Sequence, residues 1–212
     1  MSTLLAFEDA LEEITRSASV LVEQQTIPLI NALGRTLANN VVARISVPPY
    51  DNSAMDGYAL ACQDWQDGKR FTVSQRVAAG QHPQPLMPGT CARIFTGANI
   101  PSGADTVVMQ ENAELEGDKV IFTKPPTSSD NIRPLGQDIQ AGQTVIKAGD
   151  KITPMHIGLL SSLGITNISV YKPLQVGILT TGDELIPPGN TLNTGQIYNS
   201  NGPMLSALVT QA

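Results

Sequence analysis

The chain has 212 residues, of which 41% are hydrophobic and 15% charged; this is the composition of a globular protein able to bury a core, of a size for one large domain or two modest ones. Its 13 lysines and arginines stand against 19 aspartates and glutamates, a formal net charge of −6, which excludes coating nucleic acid as its main work because neutralising phosphates takes clustered cations. No apolar run approaches the ~20 residues of a membrane helix, and an aromatic share of 4% leaves little for a base-stacking platform.

The opening MSTLLAFEDALEEI turns acidic where a secretory signal needs a basic start and an apolar core. Phe7, Leu11, Ile14 and Ala18 fall at helical spacing, with Glu8, Asp9, Glu12 and Glu13 opposite, which predicts an amphipathic first helix. Such a face packs on its own domain, the commoner outcome, or on a partner. In QTIPLINALGRTLANNVV, Thr26 to Ile30 read as extended, Asn31 suits an N-cap, and Asn39-Asn40 stop a short helix. Pro48 and Pro49 exclude helix and mark a crossing into something new.

From Gly57 to about Arg133, short β-type runs alternate with Gly and Pro punctuation: Phe71 to Val77, Thr90 to Phe95, Thr106 to Met109 and Val120 to Thr123. Gly117-Asp118, between Ala113-Glu114-Leu115 and Val120-Ile121-Phe122, is a hairpin signal. These runs predict a compact, inserted β-rich domain. Cys62 and Cys91 are too few for a disulfide framework and not spaced as metal ligands, so a reducing cytoplasmic compartment is the expectation.

After Gly149, Thr153 caps and Pro154 opens a helix carrying Ile157, Leu159, Leu160 and Leu163, which Gly164 ends in the left-handed position. Ile165 to Tyr171 reads as a strand and Lys172-Pro173 as a domain joint. LQVGILTTGDEL reads as a buried strand running into a loop, and Asn201 to Ala212 as the start of an apolar helix. A lone β-loop-α unit cannot bury both faces of its strand, so the residues from 173 onward read as the front of a larger α/β layer.

Four stretches can carry chemistry. In PPYDNSAMDGYAL, Asp51 and Asp56 either serve turns, Asp56-Gly57 being an ordinary turn pair, or hold a hydrated cation or polar ligand on a rigid Pro-led loop. IFTGANIPSGADTVV ends a strand in Thr96-Gly97-Ala98, a turn or else a hydroxyl beside backbone that a ligand can approach. LTTGDELIPPG puts Thr180, Thr181 and Gly182 at the carboxyl end of the expected strand, where ligands of open α/β sheets sit. Its hydroxyls suit anionic oxygens, and Asp183 and Glu184 suit Mg²⁺ or N–H donors; the Gly-Lys-Ser/Thr ending of a P-loop is absent. In NIRPLGQDI, Arg133 and Asp138 suit a surface salt bridge. His82 and His156 stand apart from other ligand types, and no nucleophile stands with its base.

Taken in order, VPPYDNSAMDGYAL, RIFTGANIPSGADTVVMQE, NIRPLGQDI, ILTTGDELIPPG and GQIYNSN resemble the molybdopterin molybdenumtransferase (MoeA) family and the related E domain of gephyrin, over nearly the whole chain. The first motif is the most specific; TGDEL is shared with other molybdopterin-binding folds. The resemblance implies an α+β multi-domain subunit. Residues 1–50 and 139–172 would form an elongated, discontinuous domain I, residues 51–138 an inserted β-rich domain II, and residues 173–212 a truncated start of the α/β molybdopterin-binding domain III. It implies a homodimer with its active cleft between domain II of one subunit and domain III of the other, and molybdopterin adenylyltransferase as a partner. The implied reaction joins adenylylated molybdopterin and molybdate, with Mg²⁺, to give molybdenum cofactor and AMP. By motif, Asp56, Thr96, Asp138 and Glu184 take catalytic positions, with Thr96 donating to an oxyanion and Asp56 and Glu184 serving the magnesium. Thr180, Thr181, Gly182 and Asp183 take the cofactor, and Asp51 orders its loop.

The family continues with Gly-rich and Gly-Asp loops, a Lys-Pro-Gly-Lys-Pro stretch and a β-barrel domain IV, which this sequence does not contain. Phosphate, pyrophosphate and molybdate are anions that need cations or aimed N–H groups, and no basic cluster is evident in the sequence. The expectation is therefore an N-terminal piece that carries the acidic half of a site and is inactive alone. The alternative is a non-catalytic dimerisation or scaffold module of the same family.

Overall fold

The computed structural model describes residues 5–19 and 22–211. Met1 to Leu4, which open the acidic N-terminal run, and Ala212, the expected last residue of the final helix, lie outside them. The chain forms two compact units, Thr26–Val170 and Met1–Gln25 with Tyr171–Ala212. Both helix and sheet contribute, so the fold is mixed α/β.

In chain order the elements open with α1 (Phe7–Ser17), β1 (Gln24–Pro28), β2 (Val41–Val42), β3 (Asn52–Ser53), β4 (Gly57–Leu60), β5 (Arg70–Val77) and β6 (Thr90–Ile94). They continue with β7 (Thr106–Met109), β8 (Ala113–Glu116), β9 (Lys119–Phe122), β10 (Ile132–Arg133), β11 (Thr144–Ile146), α2 (Pro154–Ser162) and β12 (Asn167–Tyr171). They close with β13 (Leu185–Ile186), β14 (Ile197–Tyr198) and α3 (Asn201–Gln211).

The expected β-rich runs build one six-stranded sheet in the order β7-β4-β6-β5-β9-β8. Its pairs are antiparallel except β5 with β6, which is parallel. Successive side chains of a strand point to opposite faces, and both faces are covered. One carries Tyr58, Leu60, Phe71, Cys91, Val108, Val120 and Phe122; the other carries Ala59, Val77, Leu86, Ala92, Ile94 and Val107. Phe122 packs against Tyr58 and Phe71 with ring centroids 5.9 and 5.3 Å apart. The hairpin turn at Gly117-Asp118 joins β8 to β9 as its sequence predicts.

Strand β4 was not foreseen. Gly-Tyr-Ala-Leu is short and shows no polar alternation, because all four of its residues are buried between β6 and β7. Its glycine has a steric reason: a Cβ on Gly57 would lie 2.0 Å from the carbonyl oxygen of Val108 on β7.

A second core gathers Leu29, Leu37, Ile146, Ile152, Leu160, Ile168 and Val170. Helix α2 enters it as expected. Thr153 accepts from the backbone N–H of His156, the His156 side chain accepts from the N–H of Thr153, and Gly164 follows at φ +72°. His156 thus caps its own helix.

Three expectations are corrected. Residues 32–38 are not helical: a 3₁₀ turn at Leu29–Asn31 leads to Gly34 at φ +74°. Leu37 then bridges Val170 and donates its N–H to the Asp150 carbonyl. That tertiary bridge leaves Leu37 1% exposed, a burial that outweighs weak local helix preference interrupted by glycine. Helix α1 forms, but Ala18 falls just after it and no residue of the helix is buried; Phe7, Leu11 and Ile14 are 75%, 52% and 67% exposed, so the own-domain packing is not realised among the described residues. The buried strand expected from Leu174 is also absent. Residues 174–181 pair with no strand among the described residues, Leu179 is 87% exposed, and the strand that does form is Leu185–Ile186, parallel to Ile197–Tyr198. A strand depends on neighbours for its backbone hydrogen bonds, whereas α3 supplies its own and forms where expected. No helix among the described residues is long and apolar enough to cross a membrane.

Replacing Gly57 by alanine is expected to destabilise the chain by about 1–3 kcal/mol or more through overpacking against β7. A lowered urea midpoint with unchanged slope checks this; an unshifted midpoint contradicts it.

Candidate functional site

Gly57 on β4 pairs with Ile94 on β6. The residue before one strand and the residues after the other therefore meet at the same end of the sheet. There the backbone N–H and the hydroxyl of Thr96 both donate to Asp56 Oδ1, each at 2.8 Å. The Asp56 carboxyl is held below its usual range first by the Thr96 N–H and then by the Thr96 hydroxyl, against a small opposing effect of burial and with help from the charge of Arg93. A carboxylate that accepts such bonds favours its ionised form.

Three of the quoted motifs converge on this end. Ser53 donates its N–H to the Ala98 carbonyl and accepts from Gly97, and Ile100 donates to the Asp51 carbonyl. The Asp51 carboxylate accepts from the backbone N–H of Leu135 at 2.7 Å, while Asn52 on β3 pairs with Arg133 on β10. Asp51 thus orders its loop, as expected. Asp138 is engaged by Arg133 at 2.9 Å, an exposed salt bridge. The Thr96 hydroxyl donates its proton to Asp56 here, and its lone pairs remain able to accept.

Two arginines that the sequence did not single out join the site. Arg93 donates to the Gly57 carbonyl at 3.0 Å and to Gln110 Oε1 at 2.6 Å. Its guanidinium stacks 5.1 Å from the Tyr58 ring and 4.7 Å from the Phe95 ring. Arg76, its register neighbour on β5, lies 4.7 Å from the same Phe95 ring. Arg93 and Phe95, two residues apart in a strand-like run, share a face; that spacing was the available signal. The placement of Arg76 had none.

The second unit holds the TGDEL residues. Thr180 Oγ1 accepts from Asn199 Nδ2 at 2.8 Å, and Asn199 Oδ1 in turn accepts from the Gly202 N–H at the start of α3. Ile197 donates to the Glu184 carbonyl. The Glu184 carboxylate lies over Gly182, where a Cβ would approach its oxygens to 2.8 and 2.9 Å. Thr181, Asp183 and Glu184 are exposed. Asn199 in GQIYNSN is therefore the organiser of Thr180.

Magnesium held by the protein alone does not fit. Among the described residues no three His, Cys, Asp or Glu side chains converge, and Asp56 Oδ1 already accepts two hydrogen bonds. Such an ion is carried on one or two carboxylates only when substrate phosphates and water complete its shell. Thiolate chemistry is disfavoured too: burial, then Asp105, pushes the Cys62 thiol up to about 11, and burial pushes Cys91 up to about 12.

Residues 5–164 match the family model described as the MoeA N-terminal region, domain I and II. The chain belongs to the MoeA family. It is 38% identical over 200 residues to a molybdopterin molybdenumtransferase of Haemophilus influenzae, covering 93% of this chain and 50% of that protein. It is 39% identical over 193 residues to molybdopterin molybdenumtransferase 2 of Mycobacterium tuberculosis, covering 88% and 48%. The crystal structure of the molybdopterin biosynthesis MoeA protein from Pyrococcus horikoshii superposes with a TM-score of 0.87 at 32% identity, over 99% of this chain and 57% of that one. The chain spans about half the length of the curated MoeA relatives it matches.

Because the folded-state pKa of Asp56 is depressed, its paired form is full above the ordinary carboxylate pKa, and its contribution is lost as pH falls through the lowered value. The Thr96 amide resonance is expected to titrate with a midpoint below the ordinary aspartate value, and Thr96→Val is expected to move that midpoint upward. A midpoint at or above the ordinary aspartate value in the unaltered chain would contradict the pairing.

Proposed function

We propose that this MoeA-family chain provides domains I and II, and the front of domain III, of a molybdopterin molybdenumtransferase. In this reading residues 1–50 and 139–172 form domain I, 51–138 domain II, and 173–212 the beginning of the molybdopterin-binding layer. The reaction is insertion of molybdate into adenylylated molybdopterin in molybdenum cofactor biosynthesis, with AMP released.

The observation that carries the reading is the Asp56–Thr96 pair: an ionised carboxylate held by a backbone N–H and a hydroxyl, within loops matched to the family region. Asp56 keeps Oδ2 for a substrate N–H donor or for the water shell of a substrate-borne Mg²⁺, and Thr96 positions it. Asp138, tied to Arg133, and Glu184 orient polar groups of the cofactor, while Thr180, Thr181, Gly182 and Asp183 line the pterin side. Catalysis then rests on positioning, where a displacement of about 1 Å costs on the order of 100-fold. The working assembly is a cytoplasmic homodimer whose cleft joins domain II of one subunit to domain III of its partner, receiving substrate from a molybdopterin adenylyltransferase. Turnover belongs to the full-length form, about twice this span in the relatives.

The test is a chimera in which this chain replaces the matching half of the Haemophilus influenzae relative, expressed in a strain deficient in molybdenum cofactor. Rescue is expected, with Asp56→Ala lowering molybdoenzyme activity about 100-fold. No rescue by a folded chimera, or full rescue by the alanine variant, overturns the reading.

A second reading, a dimerisation or scaffold module, is favoured by the exposed Phe7, Leu11 and Ile14 face of α1. Light scattering of the chain alone is expected to show a dimer at micromolar concentration, weakened by Phe7→Glu with Leu11→Glu. A strict monomer removes this reading.

A further inference from the structure

We infer that Arg76 and Arg93, gathered on Phe95 at the sheet end that carries Asp56 and Thr96, form a binding site for a tetrahedral, doubly charged oxyanion. Charge is unbalanced at this end of the sheet. Arg70–Glu116, Arg133–Asp138 and Lys172–Glu23 form ion pairs; neither Arg76 nor Arg93 takes part in one among the described residues, although the chain is acidic overall. Arg93 donates to neutral acceptors, the Gly57 carbonyl and the Gln110 amide, which orient its guanidinium without an ion-pair partner in contact. Arg76 makes the Phe95 contact and no hydrogen bond, and it is exposed.

The register of β5 and β6 sets the two arginines side by side. Like charges facing one another across strands are destabilising, yet one aromatic ring holds both guanidiniums at 4.7 Å. An anion between them removes that repulsion. Planar guanidinium forks suit oxyanions through paired N–H bonds, and Arg76 has all five N–H groups to offer. The ring and the Gly57 and Gln110 acceptors restrict the arginines before any ligand arrives, which lowers the cost of binding. Arg93 also acts on Asp56 electrostatically, so a ligand joining an anionic group to an N–H donor can meet both. Identifying the anion with a substrate phosphate or with molybdate rests on the function proposed above; the site itself does not.

The experiment is side-chain NMR of the 212-residue chain labelled with ¹⁵N-arginine, titrated with inorganic phosphate and, separately, with molybdate, ionic strength being matched with chloride. The Nε–H resonances of Arg76 and Arg93 are expected to move together and saturate in the millimolar range. Arg76→Gln, which removes an exposed side chain and leaves the core intact, is expected to weaken binding about tenfold, and Arg76→Lys to restore part of it. Tighter phosphate binding names a phosphate group as the ligand, tighter molybdate binding names the metal oxyanion, and equal binding supports a site for the shared chemistry. Absence of a saturable shift for either anion, or an unchanged affinity in Arg76→Gln, overturns the inference. Bare anions need no turnover, so this failure is read separately from failure of the chimera.

Discussion

The antiparallel register of β4 against β6, with Gly57 opposite Ile94, is the constraint on which the site depends. Forty residues of chain separate Asp56 from Thr96, and the register alone brings them into hydrogen-bond contact. That register in turn needs β4 to lie close against β7 as well, and the close approach of Gly57 to the Val108 carbonyl leaves no room for a side chain. The glycine of the SAMDGY stretch is therefore a packing requirement first, and the position of its neighbouring aspartate follows from it. Once Asp56 is placed, Thr96 supplies two donors to a single oxygen and keeps the carboxylate ionised.

Around this pair the protein separates the work of burial from the work of charge. The sheet hides apolar side chains on both faces, and that burial carries the stability. The ion pairs are exposed, and solvent screening leaves pairs of this kind little effect on stability. What polar groups do here is geometric. Backbone donors and acceptors from Ser53, Gly97, Ala98 and Ile100, with the Asp51 carboxylate on Leu135, clamp three loops to one sheet end. A rigid platform of this kind suits a family in which positioning is the chemistry proposed.

The two units contrast in how they satisfy their backbones. In Thr26–Val170 each principal strand finds neighbours and each core strand is covered. In the other unit α1 and α3 stand as helices with no buried residue, and residues 174–181 belong to no helix or strand. The difference is physical. A helix closes its hydrogen bonds within itself, while a strand must borrow them from a neighbour.

That contrast also divides what could be read from what could not. Residue order by itself determined the elements whose signals are local: helix α2 with its Thr153 cap and Gly164 stop, the Gly117-Asp118 hairpin, the short β-type runs of the six-stranded sheet, and the motifs that carry the family. It also exposed Asp56 and Thr96 as candidates, because short polar motifs beside glycine stand out against a β-rich background. Only the tertiary structure decided that Gly-Tyr-Ala-Leu is an interior strand, that residues 32–38 give up helix for a bridge to Val170, that the Thr96 proton belongs to Asp56, and that Arg76 reaches the Phe95 ring beside Arg93. Each of these depends on which strand lies next to which, a pairing between distant segments that no local spacing encodes.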